Sequence, residues 1–383
     1  MTPDPGTAAV LSAEQIRAHR LLSSGLDRSA TSAEALPLWG LGLQDRDGSS
    51  RLALAARLPD PASIPPLPDP AEASGLALVW SLRGAPHLHR RADLPALVHA
   101  LWPVDEADAA ARLSGDTGRL AESGAKPADA YRAAVKAMRL AVTEPMVKGA
   151  ASAAVTKLLP RKYSGHCAVC RSTHVRELLF RLAALPAGIG LVPATKPVVL
   201  APLSDADAIT AGPAQGIEGL VAEYYRRHGV ATTGEIAAHL GTTAGCLKPA
   251  LPDDLVPVLV GGTRTYTRAG LLAALAGVDL DAASRLVRLV PGSDPVLQPR
   301  DRAVLTGDKE RQKALWPVVG QPGAVLAAGG VAGLWRARAA GSTLTITLTA
   351  WHRFTARERA ALADEAQLVG TIRGAGTTVL EFS

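Results

Sequence analysis

The sequence predicts an α+β fold made of about three tandem winged-helix units followed by a β-rich C-terminal domain. The chain has 383 residues, more than one hydrophobic core usually supports, so several packed units are expected. Helical segments followed by a hairpin, the order of a winged helix, occur early in the chain and return later. Beyond about residue 287, β-branched runs such as 343–349 and 377–382 predominate between Gly-rich turns. The predicted units are residues 1–104, 105–210, 211–286 and 287–383.

The first unit is predicted to begin with helices and to end with a hairpin. Ser12 precedes an amphipathic stretch and is the predicted N-cap of the first helix. The three predicted helices cover residues 11–22, 32–43 and 49–57. Two extended runs, 76–83 and 86–90, are broken at Gly84, which predicts a β-hairpin.

The same order returns twice, without convincing sequence identity between the units. In the second unit, two helices over 127–142 and 145–159 precede extended runs near residue 191 and over 197–200. In the third unit, helices are predicted over 216–228, 232–240 and 242–251, with Thr232 and Thr242 at capping positions. The Gly261-Gly262 pair between runs 256–260 and 263–267 predicts a two-residue hairpin. Helix-turn-helix followed by such a wing is a geometry that docks on DNA.

The composition argues against membrane and secreted proteins. Hydrophobic residues make up 48% and charged residues 20% of the chain, and no run of about 18 apolar residues could span a bilayer. The N-terminal sequence carries an acid and prolines where a signal peptide has Lys or Arg, and 3 cysteines cannot form a disulfide framework. We therefore expect a cytoplasmic protein.

Positive charge is concentrated in the second unit. The whole chain has a formal net charge of +6, yet residues 126–181 alone hold eleven Lys or Arg against three acids, a local net charge of +8. A clustered basic stripe is typical of a polyanion partner such as DNA. A solvated helical face is the alternative interpretation.

A dense polar turn lies between the second and third predicted helices. Residues 42–48 place Gln44, Asp45, Arg46 and Asp47 in succession, which brings an amide, two carboxylates and a guanidinium together. This density suggests a site. The alternative is an Asx-type turn in which Asp47 caps the next helix.

Several stretches resemble one known family. These are the order of residues 11–57, the phrase GLGLQDRDGSSRLALAAR, the hairpin LVWSLRGAPHLHR, and later LFRLAALPAGIGLVP and GGVAGLWRAR. All resemble the AlkZ/YcaQ-type winged-helix DNA glycosylases, which remove alkylated or crosslinked bases, and the similarity covers most of the chain. The resemblance implies a winged-helix protein that binds duplex DNA and cleaves N-glycosidic bonds.

The resemblance also implies a catalytic position. The family carries a Gln-x-Gln or Gln-x-Asp motif at this point, so Gln44 corresponds to its first glutamine, whereas position 46 is Arg. N-glycosidic hydrolysis passes through an oxocarbenium-like state that needs a positioned water and a nearby negative or dipolar group. We therefore assign Gln44 to water positioning and Asp45 or Asp47 to the carboxylate role.

Candidate DNA-binding residues come from the polar turn, the first hairpin, the basic unit and the wing. They are Arg46, Arg83, His87, His89, Lys148, Lys157, Arg161, Lys162, Arg264 and Arg268. The first hairpin resembles the family's hairpin near the lesion, where Arg and His contact phosphate or wedge against distorted stacking. Ordinary strand polarity, with Trp80 in the core, explains the same residues equally well.

A short Cys and His cluster follows in the second unit. His166, Cys167, Cys170 and His174 offer ligands of the type that zinc prefers. A single C-x-x-C is weak evidence, so buried structural thiols are the favoured interpretation and no metal is predicted. No thioredoxin-like context supports a redox role, and the absence of a G-x-x-x-x-G-K-[ST] loop argues against nucleotide-driven chemistry.

Taken together, these observations predict a monomeric, cofactor-independent DNA glycosylase acting on damaged duplex DNA. The alternative is a non-catalytic winged-helix DNA-binding protein or transcriptional regulator, which Arg46 in the motif favours. A regulator is expected to bind a defined, palindromic site as a dimer, whereas a repair enzyme binds damaged DNA with little sequence preference. The sequence does not distinguish methylated purines, bulky adducts and crosslinks as substrates.

Overall fold

The protein folds into helices interleaved with several small β-sheets, the mixed α and β class that the sequence predicts. A computed structural model describes residues 8–114, 120, 122–168, 170–209, 212 and 214–383. Among these residues no helix is both long and apolar enough to cross a membrane.

The elements are numbered in chain order. The helices are α1 (Ala13–Ser23), α2 (Ser49–Ala55), α3 (Leu94–Leu101), α4 (Glu106–Arg112), α5 (Pro127–Ala141), α6 (Lys148–Leu158), α7 (Glu177–Ala184), α8 (Ile217–His228), α9 (Thr233–Leu240), α10 (Ala244–Leu247), α11 (Ala269–Ala276), α12 (Leu280–Ser284), α13 (Arg302–Leu305), α14 (Lys309–Leu315) and α15 (Ala356–Ile372). The strands are β1 (Ala9–Leu11), β2 (Leu43–Gln44), β3 (Leu76–Trp80), β4 (Pro86–Arg90), β5 (Met146–Val147), β6 (Ser164–Cys167), β7 (Ser172–Val175), β8 (Ile189–Val192), β9 (Val199–Pro202), β10 (Leu255–Val260), β11 (Thr263–Arg268), β12 (Arg288–Val290), β13 (Gly323–Ala327), β14 (Gly330–Ala340), β15 (Thr343–Ala350) and β16 (Thr377–Phe382).

Side-chain caps start several helices where the sequence predicts them. The side chains of Ser12 and Thr232 each accept a hydrogen bond from the backbone N–H three residues further on. The side chain of that residue in turn accepts a hydrogen bond from the backbone N–H of the cap residue. These two of the three predicted caps are confirmed. The cap of α10 is Thr243 rather than Thr242. These reciprocal bonds satisfy backbone donors that a helix start leaves unpaired.

The predicted helix over 32–43 is wrong. This stretch forms turns and then enters strand β2. Pro37 lies in its middle, where proline removes a helical hydrogen bond and clashes with the preceding turn. The stretch is held by tertiary contacts instead, with the buried Trp39 ring donating to the carbonyl of Ala33 at 2.9 Å.

Two of the three-stranded sheets share one pairing order, and an isolated β-bridge gives a third group the same pattern. In each group, the extended segment that comes first in the chain pairs with the strand that comes last in the chain. That last strand also pairs with the strand that precedes it in the chain. The orders are β2-β4-β3 and β5-β9-β8, and in the third group Ala231 bridges to Tyr266 of β11, which pairs with β10. The hairpins predicted at Gly84 and at Gly261-Gly262 are both present. The two glycines of the second turn have φ values of +57° and +79°, as a type I′ turn requires.

Some elements were not predicted. Strand β1 pairs in parallel with β10, and the antiparallel hairpin β6–β7 and helix α7 complete the second group. Three-residue strands and short helices carry too little periodicity to be recognised locally.

Packing crosses the predicted unit boundaries. Helix α1 lies against α8 and α12, and strand β1 extends the sheet of β10 and β11. The largest buried core joins side chains of the first two predicted units, including Leu43, Trp80, Phe180 and Leu191. The division at 104, 210 and 286 therefore stays a prediction.

The C-terminal region forms a five-stranded sheet. Its order is β12-β13-β14-β15-β16, antiparallel except for the parallel pair β15–β16. The strands predicted over 343–349 and 377–382 are present. Helix α15 packs on this sheet and buries Leu362, Ala366 and Val369.

Gly42, just before β2, is expected to tolerate no side chain. Its φ is +69°, and an added Cβ would lie 2.4 Å from Cε1 of the buried His89 ring. Gly124 is a matched control, because its φ is +67° but nothing lies within 4 Å of an added Cβ. Gly124→Ala should cost about 1–2 kcal/mol for the left-handed backbone alone. Gly42→Ala should cost about 1–3 kcal/mol more, since the core is overpacked. Equal urea-unfolding midpoints for the two variants would contradict this expectation.

Candidate active site and nucleic-acid interface

The polar turn predicted as a site joins β2 to α2. Gln44 ends β2 beside His87 of β4, and its side chain is half-buried. The backbone N–H of Asp45 donates to the carbonyl of Pro86 at 2.8 Å, so the turn is tied to the first hairpin. Asp47 and Gly48 then reverse the chain with φ values of +53° and +81°.

The two carboxylates of this turn lie in different environments. Asp45 is 7% exposed, and its Oδ1 accepts bonds from Ser50 N at 2.9 Å and Ser50 Oγ at 2.6 Å. Its Oδ2 accepts a bond from Gly48 N at 3.2 Å. The Asp45 carboxylate therefore accepts hydrogen bonds from backbone N–H groups at the start of α2. The alternative interpretation, in which Asp47 caps this helix, is wrong. Asp47 points to solvent instead.

Gln44 has a partner far along the chain. Gln298 Nε2 donates to Gln44 Oε1 at 3.4 Å and to the carbonyl of Ser293 at 3.0 Å. Ser49 Oγ lies 2.7 Å from Ser293 Oγ and accepts a bond from Arg46 N at 2.7 Å. This network contacts the side-chain amide oxygen of Gln44 through one donor, and an amide oxygen has two lone pairs. Sequence reasoning missed Gln298 and Ser293.

Buried ion pairs hold the Gln298 segment against the turn. Arg57 bonds Asp294 through both guanidinium nitrogens at 2.7 and 2.8 Å, and both side chains are 0% exposed. Arg20 makes a second two-bond pair with Asp301 at 3.0 and 2.6 Å. A bidentate geometry fixes both distance and orientation. The two pairs therefore position the segment on either side of Gln298.

Two exposed groups face outward at the turn. Arg46 is exposed, and the carboxylate of Asp47 pairs with Lys196 Nζ at 3.2 Å. The Asp47 and Lys196 side chains are 70% and 83% exposed, so this pair is weak. Lys196 lies between β8 and β9, which brings the second unit beside the Gln44 turn. Sequence reasoning missed Lys196, which directly precedes the predicted extended run over 197–200.

The two hairpin histidines are interior. His87 and His89 are each 1% exposed, with His87 Nδ1 donating to the carbonyl of Ala85 at 2.9 Å and His89 Nε2 lying 2.9 Å from Ser81 Oγ. In this conformation neither ring presents a surface to DNA, which disagrees with their prediction as DNA-contacting residues. Trp80 is in the core, as the alternative interpretation of this hairpin expects.

Arg83 is also turned inward. It has a φ of +56° at the tip of the hairpin, and its Nη1 donates to the carbonyl of His239 in α9. Burial lowers the pKa of its guanidinium from the ordinary value. The Arg83 side chain thus connects the first hairpin to α9. Because it is only partly exposed, little of it is open to a DNA backbone.

The basic unit does present cations to solvent. Lys157, Arg161 and Lys162 are exposed and have no carboxylate within 4 Å in the part of the chain that is described. Lys148 is different, because its Nζ pairs with Glu177 at 2.6 Å. Strong cations without acidic partners are the groups that exchange counterions for phosphates.

The two predicted cations of the hairpin β10–β11 also differ in whether they pair with a carboxylate. Arg264 is exposed beside the ring of Tyr266, with its guanidinium carbon 6.0 Å from the ring centroid. Arg268 pairs with Asp254 at 2.8 Å, and both side chains are more than a third exposed. Arg264 is therefore the more available of the two predicted wing cations.

Burial of His87 makes stability depend on pH. Burial lowers the pKa of His87 to about 4, whereas the unfolded chain titrates this group near its usual 6.5. The stabilisation of the neutral ring is therefore complete above about pH 6.5 and is lost as the pH falls towards 4.

His87→Gln should reduce the dependence of unfolding free energy on pH by up to about 1.4 kcal/mol per pH unit in that window. Urea melts between about pH 7 and pH 5 test this. His166→Gln is the control, since His166 is exposed. An unchanged slope in the His87 variant would contradict the prediction.

The chain matches the family model "DNA glycosylase AlkZ-like" over residues 37–372. The chain belongs to the AlkZ-like DNA glycosylase family. Its fold is similar to that of the Streptomyces sahachiroi DNA glycosylase AlkZ, with a TM-score of 0.71 and 18% identity over 98% of this chain and 100% of that chain. No curated protein sequence matches the chain.

Membership of the AlkZ-like family implies that this protein binds DNA. The Arg46 side chain is exposed, whereas Gln44 is half-buried at the end of β2. The long-range network around Gln44 does not include the Arg46 side chain. The Arg46 side chain therefore takes no part in the hydrogen bonds that link Gln44 to Gln298.

The Cys and His cluster of this AlkZ-like chain is not a set of buried thiols. Cys170 is exposed, and Cys167 and His174 are half-buried. The ligand atoms of these three residues all lie within 4.8 Å of one another. The interpretation as buried structural thiols is therefore wrong.

Proposed function

We propose that this protein is a monomeric DNA glycosylase that hydrolyses the N-glycosidic bond of alkylated or crosslinked purines in duplex DNA. Membership of the AlkZ-like family supports the reaction class. The observation that carries the proposal for this chain is the Gln44 side chain, half-buried at the end of β2 with its carbonyl oxygen held by Gln298.

The chemistry matches a site with little acid power. An N7-alkylated purine is cationic, so the electron pair of the breaking C1′–N9 bond neutralises it and the base leaves uncharged. Water supplies the new bond to C1′ and releases one proton. The Gln44 carbonyl orients this water and stabilises the developing positive charge on the sugar.

Of the two candidate carboxylates, we assign the electrostatic role to Asp47. Both oxygens of Asp45 accept hydrogen bonds at the start of α2, whereas Asp47 is exposed and pairs with the exposed Lys196 side chain. DNA phosphates would compete for Lys196 on binding. Asp47→Asn should slow base release without changing the affinity for damaged duplex.

Three winged-helix units are part of the same proposal. The common pairing order of two small sheets and the isolated bridge from Ala231 to β11 in the third group support them, because each first segment pairs with the last strand of a following hairpin. The exposed cations Arg46, Lys157, Arg161, Lys162 and Arg264 would contact the phosphate backbone. Each substitution of one of these by Ala should weaken binding of any duplex and reduce its salt dependence.

A second candidate function is a non-catalytic DNA-binding protein. Arg46, exposed where the family motif has Gln or Asp, favours it, because a surface guanidinium serves phosphate binding rather than water activation. Such a protein should protect one defined sequence in footprints of a random duplex pool. A repair enzyme should protect no preferred sequence and should prefer a lesion.

The deciding experiment uses a duplex with a single N7-methylguanine. The full-length protein is incubated with it, and alkali then converts abasic sites into strand breaks. We expect breaks at the lesion strand only, and none in the undamaged duplex. Binding without breaks, both on this substrate and on a duplex with a bulky N7 adduct, would establish the non-catalytic function instead.

A further inference from the structure

Three side chains of types that bind metals lie close together at the tip of the hairpin β6–β7. Its register pairs Cys167 with Ser172 and Gly165 with His174. Because side chains alternate along a strand, Cys167 and His174 lie on one face of the hairpin and His166 lies on the other. Cys170 comes from the turn, and the ligand atoms of Cys167, Cys170 and His174 are within 4.8 Å of one another.

Neighbouring hydrogen bonds favour the forms of the His174 and Cys170 side chains that bind a metal. The Nδ1 of His174 donates to the carbonyl of Val175 at 2.6 Å, which leaves Nε2 as the basic nitrogen. Ligating histidines commonly hold their second nitrogen in this way. The hydroxyl of Ser172 donates to Sγ of Cys170 at 3.4 Å, a bond that stabilises a thiolate. Both contacts lie outside the Gln44 site and serve no step there.

We propose that Cys167, Cys170 and His174 bind one Zn²⁺ ion, with water in the fourth position. Thiolate sulfur and imidazole nitrogen are the ligands that zinc prefers, and no carboxylate is present in the set to favour Mg²⁺ or Ca²⁺. Tetrahedral zinc with bonds of about 2.0–2.3 Å holds its ligand atoms about 3.3–3.8 Å apart. The ligand atoms of the present cluster, which lie within 4.8 Å of one another, are close to that spacing.

The ion has a structural task in this fold. One end of the hairpin is anchored, since Val175 is 1% exposed and its N–H donates to Thr156 Oγ1 of α6 at 2.8 Å. The other end is exposed, and a two-stranded hairpin alone is marginally stable in water. A metal bound to Cys167, Cys170 and His174 would close that end. It would thereby order a hairpin that follows the exposed cations Arg161 and Lys162.

Metal content of the full-length protein tests the proposal without any measurement of base excision. Protein purified under reducing conditions, equilibrated with Zn²⁺ and desalted, should retain about one zinc per chain by plasma mass spectrometry. Cys170→Ser and His174→Ala should lose that zinc. Cys246→Ser and His166→Ala are matched controls, because Cys246 lies far along the chain and His166 is on the opposite face; both should keep it.

Cobalt gives a readout that needs no variant. Replacing zinc with Co²⁺ should produce sulfur-to-metal charge transfer together with intense visible bands of a tetrahedral ion. Retention of zinc by Cys170→Ser, or no cobalt spectrum in the wild-type protein, would overturn the proposal.

Discussion

Gln44→Ala is expected to lower the rate of base excision by about 100- to 1,000-fold, while the affinity for lesion-containing duplex stays within about twofold of wild type. The Gln44 carbonyl acts on the sugar and its water only when charge develops in the transition state, so its loss raises the barrier without weakening ground-state binding. Single-turnover release of N7-methylguanine, followed by alkali cleavage, measures the rate, and a gel-shift titration measures the affinity.

Two controls separate chemistry from folding. Gln312→Ala removes a half-buried glutamine whose Nε2 donates to the carbonyl of Thr306 at 2.7 Å, and it should leave the rate unchanged. Gln298→Ala removes the donor that holds Gln44 Oε1, and we expect an intermediate loss of about tenfold, because a less well-held group is a poorer catalyst. A wild-type rate in Gln44→Ala would exclude the assignment of this residue.

Arg57→Ala is expected to destabilise the protein by about 3–5 kcal/mol, because it leaves the carboxylate of Asp294 buried without a partner. Both side chains are 0% exposed, and Arg57 also donates to the carbonyls of Ser24 at 2.7 Å and Ala53 at 2.8 Å. Chemical denaturation gives the free energy of unfolding. Excision should fall as well, since Asp294 lies in the segment that carries Gln298.

The control is a solvent-exposed pair of similar length. Arg90 and Asp93 lie 2.8 Å apart with side chains 45% and 38% exposed, and Arg90→Ala should cost no more than about 1 kcal/mol. Replacing Arg57 and Asp294 together by Met and Leu should recover part of the loss, because no charge then stays buried. A shift in Arg57→Ala no larger than that in Arg90→Ala would show that the pair is not needed for stability.

Much of the fold could be predicted from interactions between residues that are close together in the sequence. Ser12 and Thr232 mark helix starts through bonds to residues only three positions away. Gly261 and Gly262 mark a hairpin through their own backbone freedom, and the period of α5 is visible within its fifteen residues. Pro37 is a local signal too, because proline disfavours a helix in the segment over 32–43, which forms turns.

The candidate site was only half predictable, for a physical reason. A sequence pattern placed Gln44, Asp45 and Asp47 in one turn, but it could not tell which carboxylate is buried. That choice depends on how the turn meets α2 and the first hairpin, where Asp45 is enclosed and Asp47 is not.

The sequence by itself determined the mixed α and β class, the basic stretch over 126–181 and the position of the polar turn, because each depends on residues that are neighbours in the chain. Only the tertiary structure decided that His87 and His89 are interior and that Gln44 meets Gln298, which is 254 residues away. Burial and long-range hydrogen bonds depend on which elements pack together, and the packing is set by the sum of many weak contacts rather than by any local pattern.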